Sequence, residues 1–268
     1  MELKIYSQTK TEAGKQKLPK QFSEEVRPDL IKKAFLALKS QERQPYGADP
    51  MAGQKVSAKL SRRRRDYKGS YGLGISRSPR KILSRKGTRF NWVGAFAPNT
   101  VGGRRAHPPK SLKIWAQKIN KEENKKAIRS AMAATVIKES VQERCHKVPK
   151  EYPFIVDDKF ESLDKTSKII GVLVALGFNE DLERAERKIV RAGIGKMRGR
   201  KYRRKKSLLI VVAGDCKALK AARNIPGVNV VRVNDLNVDL LAPGAVPGRI
   251  TLFTHSSILR LEKEHLFM

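Results

Sequence analysis

Leu208-Leu209-Ile210-Val211-Val212 is apolar at five consecutive positions. Successive strand residues face opposite sides of a sheet, so such a run is stable only where both sides are covered, as in a central parallel strand. Working outward, the run extends to Ala213, and short β-rich runs recur at Phe154–Val156, Val228–Val233 and Ile250–Thr254. The spacing predicts helices between them at about 164–176, 179–191, 215–224 and 235–241, with a last helix opening near Ser256. Gly177 and Pro226-Gly227 supply stops. Strand and helix alternate, which predicts an α/β fold: an open, mostly parallel sheet with helices on both faces.

Toward the N-terminus, Leu3 and Ile5 alternate with polar residues, Thr9 to Gly14 reads as a turn, and Lys15 to Leu18 returns as a second strand. This predicts a small N-terminal hairpin. Pro28 then opens a helix with Asp29 in its first turn, and Leu30, Ile31, Ala34, Phe35 and Leu38 form its apolar stripe, ending before Pro45. Asn120 with Glu123 three positions on resembles a capping box. It opens an Ala-rich helix through about Val141, with Ile128, Ala131, Met132 and Thr135 on one side. Helices therefore flank the intervening stretch. The division expected is a globular α/β body of residues 1–44 and 111–268, from which residues 45–110 make a long extended excursion.

That excursion is where the charge sits. The chain has 268 residues, 58 Lys and Arg, 26 Asp and Glu, and a net charge of +32. Residues 45–110 hold 16 Lys/Arg and only Asp49 and Asp66 as acids, a net of +14. Residues 187–206 hold 11 Lys/Arg and no acid. The two segments carry +25 of the +32, so the rest of the chain is nearly ordinary. The excursion also contains nine of the 19 glycines and six of the 13 prolines. A stretch of that composition, with little periodicity, is not expected to build a core of its own.

A polyanion must neutralise this charge. Membrane spanning is excluded as a reading, because the longest apolar run, Ile169 to Phe178, is ten residues with two glycines, and a spanning helix needs about 20. The N-terminal residues show no basic region leading into an apolar one, so no secretory signal is read there. Two cysteines, Cys145 and Cys216, in no paired spacing fit a reducing, cytoplasmic setting.

Enzymatic motifs are weak. No G-x-G-x-x-G follows a strand; Gly193-Ile194-Gly195 comes closest, but Arg198 stands where the third glycine belongs. There is no phosphate-cradling P-loop and no G-x-S-x-G elbow. His107, His146, His255, His265 and the two cysteines share no ligand spacing, so no metal and no cofactor is expected. Cys145-His146 reads as a helix end with a buried thiol. Asp157-Asp158 sits after a strand, where active-site carboxylates occur, yet loop solvation or helix capping explains it more simply.

The basic segments read as a nucleic-acid interface. Arg and Lys neutralise phosphates, glycine lets backbone approach backbone, and aromatic rings stack on unpaired bases. RNA is favoured over DNA because no recognition-helix module is visible. Within the excursion and at its start, the residues expected to touch RNA are Arg43, Lys55, Lys59, Arg62, Arg63, Arg64, Arg65, Tyr67, Lys68, Tyr71, Arg77 and Arg80. Lys81, Arg85, Lys86, Arg89, Trp92, Arg104, Arg105, His107 and Lys110 continue the set. In the second segment they are Lys196, Arg198, Arg200, Lys201, Arg203 and Arg204. Phe90 and Trp92 read equally well as a small apolar cluster between the two arms. Arms of about 33 residues at roughly 3.3 Å each set a ceiling near 100 Å on the reach, and bending brings it to about half that. The tip is expected within residues 67–80.

One run is more specific. Thr100-Val101-Gly102-Gly103-Arg104-Arg105-Ala106-His107-Pro108-Pro109-Lys110 resembles the L-four family of large-subunit ribosomal proteins, in its archaeal and eukaryotic branch. The resemblance continues in Lys118-Ile119-Asn120-Lys121 and in Ile128-Arg129-Ser130-Ala131-Met132-Ala133-Ala134-Thr135. Arg43-Gln44-Pro45-Tyr46-Gly47-Ala48-Asp49-Pro50-Met51-Ala52-Gly53 is similar to that family's way into its long loop. Arg191-Ala192-Gly193 and Gly195-Lys196-Met197-Arg198-Gly199-Arg200-Lys201-Tyr202-Arg203 are similar to its second basic segment. The four motifs occur in order over most of the chain.

The resemblance implies a structural component of the large ribosomal subunit, cytoplasmic and not an enzyme. It implies that the body binds large-subunit rRNA and that the loop threads rRNA toward the nascent-peptide exit tunnel. The implied partners are the L-twenty-two protein at the tunnel, the L-eighteen-e protein beside the body, and the nascent peptide near the loop tip, with no membrane. The long carboxy-terminal extension of eukaryotic members is not seen, which points to the archaeal side. Between Ser61 and Trp92 the chain is less glycine-rich than many relatives, and Lys81-Ile82-Leu83 is unusually apolar for the stretch. Competing readings are an RNA-modifying enzyme with a basic substrate arm, which would need a cofactor fingerprint at a strand's end, and a free DNA-compacting protein.

Overall fold

The computed structural model describes residues 1–66 and 69–268. They divide into two units, one of Met1–Glu42 with Ala116–Met268 and one of Arg43–Trp115. In chain order, β1 (Glu2–Tyr6) and β2 (Glu12–Lys17) form an antiparallel hairpin, followed by α1 (Pro28–Gln41). The second unit contains β3 (Arg80–Lys86) and β4 (Arg89–Gly94). The first unit resumes with α2 (Lys121–Val136), α3 (Lys138–Glu143), β5 (Ile155–Val156), α4 (Thr166–Ala175) and α5 (Asn179–Glu186). It continues with β6 (Ile189–Val190), β7 (Tyr202–Arg203), β8 (Leu209–Val212), α6 (Lys217–Ala221), β9 (Asn229–Arg232), α7 (Val238–Leu241), β10 (Thr251–Thr254) and α8 (His255–Lys263).

The main sheet has six strands in the order β2-β1-β5-β10-β8-β9. Only the β1–β2 pair is antiparallel; β1–β5, β5–β10, β10–β8 and β8–β9 are parallel. This is the open, mostly parallel sheet that the Leu208–Val212 run demanded. The reason is visible in the two cores. Leu209 and Val211 point to one side, where they join Ile31 and Ala34 of α1, Met132 of α2 and Ile258 of α8. Leu208, Ile210 and Val212 point to the other, where they join Val141 of α3 with Ile169 and Leu173 of α4. Every residue from Leu208 to Val212 is buried to within about a percent.

Three local expectations are corrected. Asn120 precedes α2, but its side chain makes no capping hydrogen bond; Glu123 instead accepts from Lys33 of α1 at 2.7 Å. The Ala-rich helix does not run to Val141. It breaks at extended Ile137, because the Thr135 carbonyl, which a continuing helix would use, accepts from the buried Tyr152 hydroxyl at 2.5 Å. The helix expected over 179–191 stops at Glu186, since Ile189 and Val190 pair in register with Arg203 and Tyr202.

The Cys145-His146 pair also differs from expectation. Cys145 is exposed, at a left-handed φ of 63°, and the buried group is His146. The His146 ring lies 3.2 Å from Asp181, which also accepts from the Lys147 amide at 3.0 Å, from Arg184 at 2.9 Å and from the Ser207 hydroxyl. Burial by itself would raise the Asp181 pKa, but the hydrogen bonds from His146, Arg184 and Ser207 outweigh it and hold the carboxyl well below the usual carboxylate range. Burial lowers the His146 pKa against the pull of Asp181.

Both shifts act in the same direction. Below about pH 6.5 an unfolded His146 takes up a proton that the folded ring resists, and below about pH 4 an unfolded Asp181 does so as well. The stability from Asp181 is therefore present above about pH 4 and lost as pH falls toward its depressed value. The RNA-free chain is expected to lose urea resistance steadily from pH 7 to pH 4. Asp181→Asn is expected to be less stable at pH 7 and to show a shallower acid limb. A variant limb parallel to that of the parent below pH 4 would contradict this assignment.

Candidate nucleic-acid interface

The Arg43–Trp115 unit is built on close backbone approach. The Ala48 amide donates to the Pro109 carbonyl at 3.0 Å, tying its outgoing strand of chain to the returning one. Farther out, a Cβ placed on Gly53 would stand 2.6 Å from the backbone of Gly103 and Arg104, and Gly53 itself has φ +73°. Gly103 is equally closed, with the Ala97 carbonyl oxygen 2.1 Å from where its Cβ would be. Gly53→Val is expected to force these segments apart, because a left-handed backbone alone costs a non-glycine residue roughly 1–2 kcal/mol and the clash adds to it. Faster tryptic cleavage at Lys55 and Arg104, with an unchanged urea midpoint of the body, is the result to look for.

Farther along, β3 and β4 pair antiparallel around Gly87-Thr88, with Ile82 opposite Trp92 and Arg85 opposite Phe90. This hairpin lies in a stretch read as an extended excursion with little periodicity and no core of its own. Two runs containing β-branched and aromatic residues, separated by a Gly-x pair, are a hairpin signal that was available in the sequence. Phe90 is 39% and Trp92 45% exposed. Trp92 lines a cavity of about 610 Å³ with Leu60, Leu73 and Ile75, and Leu73 and Ile75 are themselves exposed.

The expected RNA-facing cations are presented to solvent. Arg62, Arg63, Arg64 and Arg65 are exposed, as are Arg77, Arg85, Lys86, Arg89, Arg105, His107 and Lys110. Lys55 is ion-paired with Asp49. Lys59 is exposed at the rim of the Trp92 cavity, whereas Arg80, Lys81 and Arg104 are part-buried: Arg80 lines the same cavity and the Arg104 guanidinium lies 6.0 Å from the Phe96 ring. Arg77 stacks over Tyr71 at 4.5 Å and Arg85 over Phe90 at 5.2 Å. Tyr67 and Lys68 lie outside the described residues. In the other unit Lys196, Arg198, Arg200, Lys201, Arg203 and Arg204 are all exposed, with Lys201 5.4 Å from the Tyr202 ring. The short β6–β7 ladder and the Arg191 side chain, which donates to the Arg200 carbonyl at 3.2 Å, hold this segment in a hairpin.

An α/β sheet usually places ligands outside the carboxyl ends of its strands. Here the ends of β5, β8 and β10 are bridged by the chain's own side chains. Glu161 accepts from the Ala213 amide after β8 at 3.0 Å, from the Thr254 hydroxyl of β10 at 2.7 Å and from the Ser256 hydroxyl at 3.0 Å. Asp157 caps the turn that follows β5 by accepting from the Asp158 amide, and Asp158 accepts from the Ser256 amide at 2.6 Å. The capping explanation of the Asp157-Asp158 pair therefore holds. Among the described residues no group of His, Cys, Asp and Glu is placed to hold a metal ion, and no helix is long and apolar enough to cross a membrane.

Two contributors escaped the sequence reading. Tyr46 and Trp115 stack with ring centroids 5.6 Å apart at an interplanar angle of 19°, and the Arg43 guanidinium lies 3.8 Å from the Trp115 ring. The partners are 69 positions apart, so no local pattern announces the pair.

Comparison with known proteins gives a consistent result. The Ribosomal protein L4/L1 family matches residues 16–264. The chain is 47% identical over 268 residues to "Large ribosomal subunit protein uL4" of Nanoarchaeum equitans, covering 100% of both chains. It is 48% identical over 242 residues to the protein of the same name from Archaeoglobus fulgidus, covering 90% of each. With that of Methanocaldococcus jannaschii it shares 45% over 248 residues, 92% of each.

Proposed function

The chain belongs to the ribosomal protein L4/L1 family, and from that premise we propose that it is a structural component of the large ribosomal subunit in the cytoplasm. Its exposed basic segments bind large-subunit rRNA, and the 45–110 segment threads that RNA to help shape the peptide exit tunnel. One observation supports this above others. The cations are gathered on two segments outside the sheet's helix-covered cores, where they repel one another unless phosphate surrounds them. The bridged ends of β5, β8 and β10 favour a scaffold over an RNA-modifying enzyme.

In this reading Arg62 to Arg65, with Lys196 to Arg204, neutralise phosphate. Tyr71 and Phe90, each under an arginine, offer faces to unpaired bases. The neighbours are the L-twenty-two protein at the tunnel, the L-eighteen-e protein beside the body and the nascent peptide at the loop tip. The deciding experiment is a density map of large subunits assembled with this chain. Residues 67–80 are expected at the tunnel wall with RNA on all sides of the arms. A segment folded back on its own body, away from the tunnel, would reject the tunnel role and leave rRNA binding standing.

A further inference from the structure

Tyr46 and Trp115, at the two ends of the basic unit, line a site that joins Arg105, His107 and Lys110, expected to touch RNA, to two rings and a lysine that the sequence reading did not name among them. With Arg105, His107, Lys110 and Lys113 they line a cavity of about 630 Å³, within the roughly 300–1,000 Å³ of ligand pockets. The Lys113 ammonium stands 4.2 Å and the Arg43 guanidinium 3.8 Å from the Trp115 ring. None of the residues lining the cavity is acidic, and among the described residues none of these cations has an acidic partner. The Trp115 indole N–H is buried and has no hydrogen-bond acceptor among the described residues. A buried donor without an acceptor is costly, so the site is incomplete as it stands.

We propose that this cavity takes one unpaired nucleotide of RNA. The base lies against the Tyr46–Trp115 pair and offers a ring nitrogen or carbonyl to the Trp115 N–H, while its phosphates meet Lys113, Arg105 and Lys110. The inference rests on the RNA-binding role proposed above and names one site within it. The combination selects the ligand. Cations alone would suit any polyanion, but the stacked rings require a flat partner, and the indole N–H requires an acceptor at its edge. A paired base has both faces covered by its neighbours in the duplex and its edge engaged. An acidic peptide brings negative charge without a ring.

The test uses the full chain carrying Trp92→Phe, which leaves Trp115 as the only tryptophan of the two. Its emission is followed while adding a single-stranded adenosine octaribonucleotide, an RNA duplex of the same length, or an octaglutamate peptide, with filter retention of each RNA measured in parallel. The single strand is expected to quench Trp115, and the duplex and the peptide to leave it unchanged. Trp115→Ala or Tyr46→Ala in the parent chain should weaken octamer binding by about five-fold or more, with the salt slope unchanged, because stacking releases no counterion. Trp115→Phe, which keeps a ring and loses only the N–H, should weaken it less. Lys113→Ala should instead flatten the slope by about 0.7.

Octamer retained on the filter with Trp115 emission unmoved would overturn the site and leave RNA binding intact, the rings then serving only to brace the ends of the loop. Quenching by octaglutamate equal to that by RNA would overturn the nucleotide assignment in favour of an acidic peptide. Failure of the chain to retain large-subunit rRNA at all would reject the function proposed above rather than this site alone.

Discussion

Replacing Arg62, Arg63, Arg64 and Arg65 together by Ala is expected to flatten the salt dependence of rRNA binding by about three units of log affinity per log salt. The basis is counterion release. Each phosphate neutralised by a cation frees roughly 0.7 to 0.9 of a counterion, so four lost contacts remove about three. Between 50 and 200 mM salt the parent should then lose roughly 60-fold more affinity than the variant. All four side chains are exposed in a unit that carries only two acidic residues, so their removal should leave the two cores of the body untouched. Nitrocellulose retention of large-subunit rRNA over a salt series measures the slope. An unchanged slope would place the four arginines in solvent even when RNA is bound.

The largest effect on stability is expected at Arg249, which is fully buried just before β10. Its Nε donates to the Ser207 carbonyl at 2.8 Å and its Nη1 to the Leu240 carbonyl at 2.9 Å. Its Nη2 reaches the carbonyls of Leu208 and Gly227 and the Asn229 side chain, at 3.1, 3.3 and 2.8 Å. One planar fork thus gathers the approaches to β8 and β9 and the α7 segment; the Leu208 and Gly227 carbonyls also accept from the Asn229 and Ser207 amides, at 3.0 and 2.8 Å, so the Ser207 and Leu240 carbonyls depend on it most. Arg249→Met keeps much of the volume and leaves the Ser207 and Leu240 carbonyls without this donor, at an expected cost of about 2–5 kcal/mol from about 1–3 for each. Arg249→Lys should recover little, since an ammonium carries three donors at one point rather than a five-donor fork. Urea unfolding of the RNA-free chain measures both, and full stability in the lysine variant would show that charge rather than geometry matters there.

Much of the body was legible in the sequence because its signals are local. Burial on both sheet faces requires every residue of Leu208–Val212 to be apolar, and that can be read without knowing the neighbours. The α1 stripe of Ile31, Ala34 and Leu38 repeats at helical spacing for the same reason, and the turn glycines Gly177 and Gly227 stand at φ +92° and +77°. The charge concentration, a sum over residues, needs no structure at all. The β3–β4 hairpin was legible in principle through Gly87-Thr88, but the surrounding lysines and arginines hid its weak alternation.

What only the tertiary structure decided are the pairings between residues far apart in the chain. Nothing local distinguishes Arg249 from the other basic residues, and it becomes a buried tie because β8, β9 and α7 converge on it. The same holds for His146 and Asp181, 35 positions apart, which reverse the expectation at Cys145-His146 by burying the ring and leaving the thiol exposed. Thr135 ends its helix early because Tyr152, 17 residues on, claims its carbonyl. Tyr46 and Trp115 meet only where the basic unit begins and ends. Local propensity and solvent preference act over a few residues and so could be read from the chain alone. The burial of a charge, the partner of a hydrogen bond and the walls of a cavity depend on which distant segments the sheet topology brings together.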